Sequence, residues 1–339
     1  MENEEKKDEK YLIYHFYGGD LKEILPILEK HFSFTLFEIQ GMLDWCNNHI
    51  YHGEATGTTY DDDGFFHDEF KPEKFFIEGP SRLEGEVVIS GAKNAVLPIL
   101  AACLLTEEVC EIQNVPPLAD VRHMAELLTE LGAGVEYDAA AETMRVQAAE
   151  LTHVEGAYET ARKMRASFLA AGALLARCGA ARLPLPGGCR IGSRPIDLHL
   201  KGFHLMGAKS RQAHGMVELQ AKALRGSDIY LDFPSVGATE NILLAATRAK
   251  GITTIENAAA EPEICDLADF LRKMGAEIEG DGTDTITIRG GKELHGAVHR
   301  VIPDRMEAGT FLAAAAITGG DIIQINEWNL LFFGYLLGP

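Results

Sequence analysis

The stretch SVGATENILLAATRAKGITTIENAAAEPEICDLADFLRKMGA (Ser235–Ala276) contains the unit from which the fold is built. Small residues lead into an apolar helix that stops at Gly251, and a β-branched strand follows over Ile252–Glu256. After the Glu261-Pro-Glu turn, a second helix ends at Met274-Gly275-Ala276. Glycine just past a helix takes the left-handed conformation that ends it, and the next strand then returns to the sheet. The stretch therefore predicts a helix–strand–helix–strand unit.

The same order of elements occurs twice upstream, so the chain is a repeat protein. Equivalent Gly-Ala stops lie at Gly132, Gly207 and Gly275, with spacings of 75 and then 68 residues. In each unit the first helix is apolar nearly all round, which predicts burial, and the second is amphipathic, which predicts a position nearer the surface. The predicted fold class is α/β: an inside-out α/β barrel of three repeats of about 70 residues, with helices inside and sheets outside.

Composition and charge exclude several classes of protein. The chain has 339 residues, a formal net charge of −20 and 46% hydrophobic residues. Such a charge disfavours nucleic acid and anionic membranes, and no apolar run reaches the roughly 18 residues that span a bilayer. The six cysteines form no CxxC pair, which is typical of a reducing compartment. We predict a cytoplasmic protein that binds neither nucleic acid nor membrane.

The first 72 residues do not follow the repeat. Residues 1–74 carry 17 acidic and 7 basic side chains, so this part is far more acidic than the rest. We predict an acidic N-terminal extension over 1–72, with two short helices and a polar linker. Five of the chain's 12 histidines lie here without the spacing of a metal-ligand motif, so no metal is predicted: His15, His31, His49, His52 and His67.

One cysteine stands in a context that favours reactivity. Cys189 follows Pro186-Gly187-Gly188 and lies beside Arg190, with Arg194 five residues further on. Fixed positive charge stabilises a thiolate, and paired glycines allow a loop to move, so we predict a functional thiol on a lid. A Cys–His hydrolase using Asp197 and His199 is the less favoured reading, because no separate orienting residue is evident. Four other cysteines lie in apolar contexts typical of inert core residues: Cys103, Cys110, Cys178 and Cys265.

The starts of the apolar helices are candidate anion sites. Free N–H groups and the positive end of the helix dipole meet there, and small residues leave them accessible. Lys93-Asn94 opens the first unit, Arg165 the second and Ser235-Val236-Gly237 the third. Equivalent ends of repeated helices converge, so we expect these groups around one cavity.

These motifs together resemble the UDP-N-acetylglucosamine 1-carboxyvinyltransferases of the enolpyruvyl transferase family. The resemblance runs from about residue 73 to about residue 326 and rests on motifs in family order: Ser-Gly-Ala-Lys93-Asn94, Met-Arg165-Ala-Ser, Pro-Gly-Gly-Cys189, Arg194-Pro195-Ile196-Asp197-Leu198-His199 and Ser235-Val-Gly-Ala-Thr. The related shikimate-pathway transferases share the fold but are not expected to carry the Pro-Gly-Gly-Cys loop, so Cys189 favours the first group.

The resemblance implies a reaction and a set of roles. The enolpyruvyl group of phosphoenolpyruvate passes to the 3′-hydroxyl of UDP-N-acetylglucosamine by addition and elimination, the first committed step of peptidoglycan precursor synthesis. No cofactor or metal is implied. Cys189 would donate a proton to the methylene carbon and be the target of the epoxide antibiotic fosfomycin, and Lys93 would hold phosphoenolpyruvate. The remaining implied substrate-binding residues are Asn94, Arg165, Arg194, Pro195, Ile196, Asp197, Leu198, Phe233, Pro234, Ser235 and Val236.

The chain departs from the family pattern at its ends. Family members carry about six repeats in two domains, whereas here three are complete and a fourth is cut short. The resemblance implies that residues 73–91 are first strands joining a second domain, 92–302 a complete three-repeat domain, and 303–339 a truncated start of the second domain with an aberrant tail. We therefore expect little turnover from this chain alone. The alternative is a non-catalytic UDP-sugar-binding module or gene fragment, with the acidic extension contacting another protein.

Overall fold

The computed structural model describes residues 84–155, 165–185, 196–213, 215–318 and 321–325. The predicted acidic extension, its histidines and the loop from Pro186 to Pro195 lie outside these residues. Two 3₁₀ helices, Cys103–Leu105 and Arg165–Leu169, accompany the regular elements. These are, in chain order, β1 (Glu84–Val88), α1 (Lys93–Ala102), β2 (Val109–Gln113), α2 (Ala119–Glu130), β3 (Gly134–Asp138), β4 (Thr143–Gln147), α3 (Ala170–Cys178), β5 (Ala180–Pro184), α4 (Asp197–Leu205), β6 (Lys209–Ala213), β7 (Met216–Gln220), β8 (Asp228–Tyr230), α5 (Val236–Arg248), β9 (Ile252–Glu256), α6 (Pro262–Lys273), β10 (Glu277–Glu279), β11 (Thr285–Arg289), β12 (Val298–Arg300), α7 (Arg305–Thr318) and β13 (Asp321–Ile325).

The chain divides into two compact units. The larger unit runs from Ile89 to Arg305 and contains all three complete repeats. The other comprises the residues up to Val88 and those from Met306 onward, and in it β1 pairs in parallel with β13. The sequence-based division at 91/92 and 302/303 stays a prediction.

Three sheets share one strand order. The first sheet runs β12-β2-β4-β3 and the third β8-β9-β11-β10; in each, the first two strands are parallel and the other pairings antiparallel. The second sheet, β5-β7-β6, has an isolated parallel bridge between Glu155 and Arg182 at the position of the outer strand. The third repeat is thus a βαβαββ unit, and the first two follow the same order from their first helix onward. The outer strand of the first sheet, β12, follows the third repeat in the chain. The end of the third repeat thus supplies the fourth strand of the first repeat's sheet.

Helices lie inside and sheets outside. The first helices of the repeats, α1, α3 and α5, pack against one another, and the side chains from Ala95 to Ala102 in α1 are all buried. The second helices bury one face each, as α2 does with Val121, Met124, Leu127 and Leu128. Strands such as β11 alternate exposed and buried residues, which places one sheet face on this core. The predicted α/β class is confirmed. The described strands form separate ladders, so closure into a barrel stays a prediction.

Two further expectations can be compared with the structure. Cys103 and Cys110 are buried and Cys265 is partly buried, but Cys178 is exposed at the last turn of α3, so the prediction that it is a core residue is wrong. None of the helices in the described part of the chain combines the length and the apolar composition needed to cross a bilayer.

Candidate functional site

Lys93 is the first residue of α1, and nothing caps the helix there with a side chain. The residue before it is Ala92, and the first main-chain N–H groups bonded inside the helix belong to Ala95 and Val96, both donating to the Ala92 carbonyl. The N–H groups of Lys93 and Asn94 therefore have no partner within the helix. The Lys93 ammonium lies 3.1 Å from Asp120 Oδ2, at the start of α2, and both side chains are partly exposed. This helix start carries an ammonium and two N–H donors.

Charge is distributed unequally between inner and outer helices. No acidic residue occurs in the first turn of the inner helices α1, α3 and α5. The outer helices α2, α4 and α6 each carry one there: Asp120, Asp197 and Glu263 respectively. Carboxylates at a helix start neutralise the positive end of the dipole. The inner helices lack this neutralisation, so their starts attract anions more strongly than those of the outer helices.

The second repeat is brought against the first at this end. The 3₁₀ helix Arg165–Leu169 packs against α1, α2 and α5, so the main chain of Arg165 lies near the helix that Lys93 starts. Cys189, Arg194 and Pro195 fall outside the described residues.

The predicted nucleotide-binding segments of the second and third repeats adjoin each other. Helix α4 packs on α5, and the Lys201 ammonium lies 2.8 Å from Asp232 Oδ2, immediately before Phe233. Ser235 is the N-cap of α5, and its Oγ accepts a bond of 3.4 Å from the N–H of Ala238. The predicted residues differ in exposure. Ile196 and Leu198 are buried, Val236 is partly buried, and Asp197, Pro234 and Phe233 are exposed, Phe233 by 54%.

A buried asparagine joins the elements of these two repeats. Asn241 of α5 accepts a bond from the Gly172 N–H at 2.8 Å, so its Nδ2 is the donor to the Phe168 carbonyl at 2.9 Å and to His199 Nδ1 at 3.0 Å. A Cβ at Gly172 would lie 2.3 Å from the Asn241 carbonyl, so only glycine permits this approach of α3 to α5. Asn241 thereby sets the position of the 3₁₀ helix that contains Arg165.

His199 is a neutral packing residue rather than a base. Burial lowers the pKa of His199 to about 4, although Asp197 acts in the opposite direction. Its ring meets Phe168 edge-on at a centroid distance of 5.3 Å, and Nδ1 accepts the bond from Asn241, which leaves the proton on Nε2. A histidine so held is a weak general base near neutral pH. His199 is therefore poorly suited to act as the base that the Cys–His hydrolase alternative requires.

A buried carboxyl group also lies on α5. Burial, followed by the charges of Glu263 and Glu261, raises the pKa of Glu240 well above its usual value. Glu263 in turn accepts bonds of 3.0 and 3.3 Å from Arg305 Nε. Sequence reasoning missed Asn241 and Glu240, although a polar pair inside an otherwise apolar helix is the signal that could have identified them. It also missed Asp120, the partner of Lys93.

Comparison with known proteins places this arrangement in a family. The family model described as EPSP synthase (3-phosphoshikimate 1-carboxyvinyltransferase) matches residues 77–331. UDP-N-acetylglucosamine 1-carboxyvinyltransferase 1 of Caldanaerobacter subterraneus is 57% identical over 253 residues, which are 75% of this chain and 60% of that protein. UDP-N-acetylglucosamine 1-carboxyvinyltransferase of Gloeobacter violaceus is 56% identical over 242 residues, which are 71% of this chain and 52% of that protein. The chain thus spans little more than half the length of these relatives.

Solved structures show the same relationship. The enolpyruvyl transferase NikO from Streptomyces tendae has a TM-score of 0.62 and 30% identity, covering 70% of this chain and 56% of that one. EPSP synthase from Acinetobacter baumannii has a TM-score of 0.54 at 20% identity, covering 72% and 56%, and shows likeness of fold alone. Sequence, motif order and fold agree, and the chain belongs to the enolpyruvyl transferases, the family of EPSP synthase (3-phosphoshikimate 1-carboxyvinyltransferase).

Proposed function

We propose that the chain binds phosphoenolpyruvate and UDP-N-acetylglucosamine and takes part in transferring the enolpyruvyl group to the sugar 3′-hydroxyl, the opening step of peptidoglycan precursor synthesis in the cytoplasm. The observation that carries the proposal is the 57% identity, over 253 residues, with a protein named UDP-N-acetylglucosamine 1-carboxyvinyltransferase 1. The cationic start of α1 is consistent with it, because two anionic groups must be held there.

In the proposed reaction, Lys93 and the adjoining N–H groups hold the phosphate and carboxylate of phosphoenolpyruvate, with Asn94 and Arg165 beside them. The sugar hydroxyl oxygen bonds to C2, its proton ending on the departing phosphate, while the Cys189 thiol gives its proton to the methylene carbon C3. The C2–O bond to phosphate then breaks with its electron pair on the phosphate, and C3 returns a proton to the Cys189 thiolate, which restores the double bond. Phosphate and the enolpyruvyl ether are the products.

The sugar nucleotide is assigned to the two adjoining segments. Arg194 and the stretch from Pro195 to Leu198 would meet the diphosphate and uridine from one side, and Phe233–Val236 from the other. Because Ile196 and Leu198 are buried, they would contribute through their main-chain groups. At position 233, phenylalanine offers a ring face where some family members have lysine, so one cationic contact to the diphosphate is replaced.

Phosphate release is the direct test. The full chain, incubated with both substrates, is expected to release phosphate slowly and only when UDP-N-acetylglucosamine is present, and Cys189→Ala should abolish that release. Cys178→Ala, which removes an exposed cysteine at the end of α3, is the matched control and should leave release unchanged. Binding of the sugar nucleotide without release in the unmodified chain would support a binding module instead. Absence of both binding and release would rule out the proposal.

A further inference from the structure

Lys93 follows a short main-chain segment that another part of the chain holds in place. The Ala92 N–H donates to the Ile302 carbonyl at 2.8 Å, and the Asp304 N–H donates to the Ser90 carbonyl at 2.8 Å. Between these bonds, Gly91 lies opposite Pro303 in an antiparallel bridge. The segment before α1 is therefore paired with residues 302–304. A contact that holds Ile302 in place also holds the main chain from which the Lys93 side chain projects.

Ile302 is fixed by a carboxylate of α6. Asp266 Oδ2 accepts a bond of 3.2 Å from the Ile302 N–H. The other oxygen, Oδ1, lies 2.9 Å from Nε2 of His299 on β12. The Asp266 and His299 side chains are almost fully buried, with exposures of 4% and 1%. Such buried polar groups keep a single arrangement because losing either partner leaves the other unsatisfied.

The hydrogen-bonding roles of His299 follow from its other neighbour. His299 Nδ1 lies 3.1 Å from Lys273 Nζ, and an ammonium group can only donate, so Nδ1 accepts. The ring proton is then on Nε2 and is donated to Asp266. Asp269 Oδ2, 2.8 Å from the same ammonium, holds Lys273 in place, and the ring of Phe270 lies against the imidazole at 5.3 Å. A continuous hydrogen-bonded relay thus runs from Lys273 through His299, Asp266 and Ile302 to Ala92.

We infer that His299 and Asp266 are positioning residues for Lys93, which set the location of its ammonium and of the first N–H groups of α1 through Ile302 and Ala92. The inference rests on the proposed function, in which this helix start binds phosphoenolpyruvate. Neither residue belongs to the motifs that carry the family resemblance, and neither contacts the proposed substrates. Their effect is therefore expected on the affinity for phosphoenolpyruvate and not on that for the sugar nucleotide.

The test compares two substitutions at one position. His299→Leu removes the donor to Asp266, whereas His299→Gln can keep it through its side-chain amide. In the Leu variant we expect the amide hydrogens of Ala92 and Ile302 to exchange with solvent at least about tenfold faster, because the hydrogen bonds that they donate open more often. The dissociation constant for phosphoenolpyruvate, measured with UDP-N-acetylglucosamine present, should rise about 10- to 100-fold, the range typical of a small misplacement of a binding group. The Gln variant should reverse both effects.

His295→Leu is the matched control, since the His295 side chain is exposed and bonds only to the adjoining Gly296 carbonyl among the partners the structure describes. It should change neither measurement. Unchanged exchange at Ala92 in His299→Leu would overturn the relay, and fast exchange with unchanged affinity for phosphoenolpyruvate would overturn its role in positioning Lys93. If the unmodified chain binds no phosphoenolpyruvate, the proposed function fails, while exchange at Ala92 still decides whether the relay holds the start of α1.

Discussion

Glu240 is a carboxyl group in the helical core, and its chemistry depends on neighbours that are distant in sequence. It is 4% exposed on α5 and faces Glu263 and Glu261 at the start of α6, of which Glu263 is bonded to Arg305. A neutral carboxyl fits this place better than an ionised one. The local sequence around Glu240 shows only a polar residue in an apolar helix, because the residues that raise its pKa lie more than twenty positions away.

The raised pKa of Glu240 makes stability depend on pH. Below its ordinary pKa of 4.5, Glu240 is neutral in the folded and unfolded chains, and Glu240→Gln should leave the free energy of unfolding unchanged. Above that pH the unfolded chain ionises first, so the unmodified protein loses stability until the pH passes the folded-state pKa. The variant should therefore be more stable than the unmodified protein near neutral pH, by an amount that grows as the pH rises above 4.5.

Thermal unfolding between pH 4 and pH 8 measures this difference. Glu256→Gln, at an exposed position ending β9, is the matched control and should show no pH-dependent gain. A Glu240→Gln variant that is less stable than the unmodified chain at neutral pH would mean that the ionised carboxylate is needed in the fold.

At the scale of elements, local signals predicted the regular structure well. The strand Ile252–Glu256 was predicted with the bounds observed, because the glycine stop and the β-branched residues act within a few positions. The outer strands β8 and β12 were not predicted. Each has three residues, of which only the middle one is buried, so the segment is too short to show an alternating pattern in the sequence. Each strand is defined by its parallel pairing with a neighbouring strand.

The repeat pattern does not predict the side-chain contacts between helices, and a substitution of Asn241 tests how much such contacts contribute to stability. Asn241→Ala would leave the Gly172 N–H, the Phe168 carbonyl and His199 Nδ1 without their partner. Each buried polar group left unpaired costs about 1–3 kcal/mol, so we expect a loss of at least about 2 kcal/mol in the free energy of unfolding. Urea denaturation measures the loss.

The control for Asn241 lies on the same helix. Thr247→Val removes a buried hydroxyl that bonds only to the Leu244 carbonyl of its own helix among the partners described, and it should cost clearly less. Equal losses for the two variants would show that Asn241 does not join α3, α4 and the 3₁₀ helix as inferred.

For the molecule as a whole, a net charge of −20 stands against the binding of two anionic substrates. The arrangement of the repeats resolves this locally. The inner helices carry no acidic residue in their first turn and the outer helices each carry one, which favours anions at the starts of the inner helices over those of the outer ones. The sequence did not predict the Asp120 partner of Lys93, because that ion pair depends on how α1 and α2 pack.

In the proposed reaction the Cys189 thiol acts on phosphoenolpyruvate held by Lys93, and alkylation by fosfomycin tests this role without requiring turnover. Intact-mass analysis in the presence of UDP-N-acetylglucosamine should show one adduct, absent in Cys189→Ser and retained in Cys178→Ser. Lys93→Met should slow its formation about 10- to 100-fold, because a hydrogen bond to a charged group contributes about 1.5–3 kcal/mol. No adduct, an adduct on Cys178, or a rate independent of Lys93 would contradict the account.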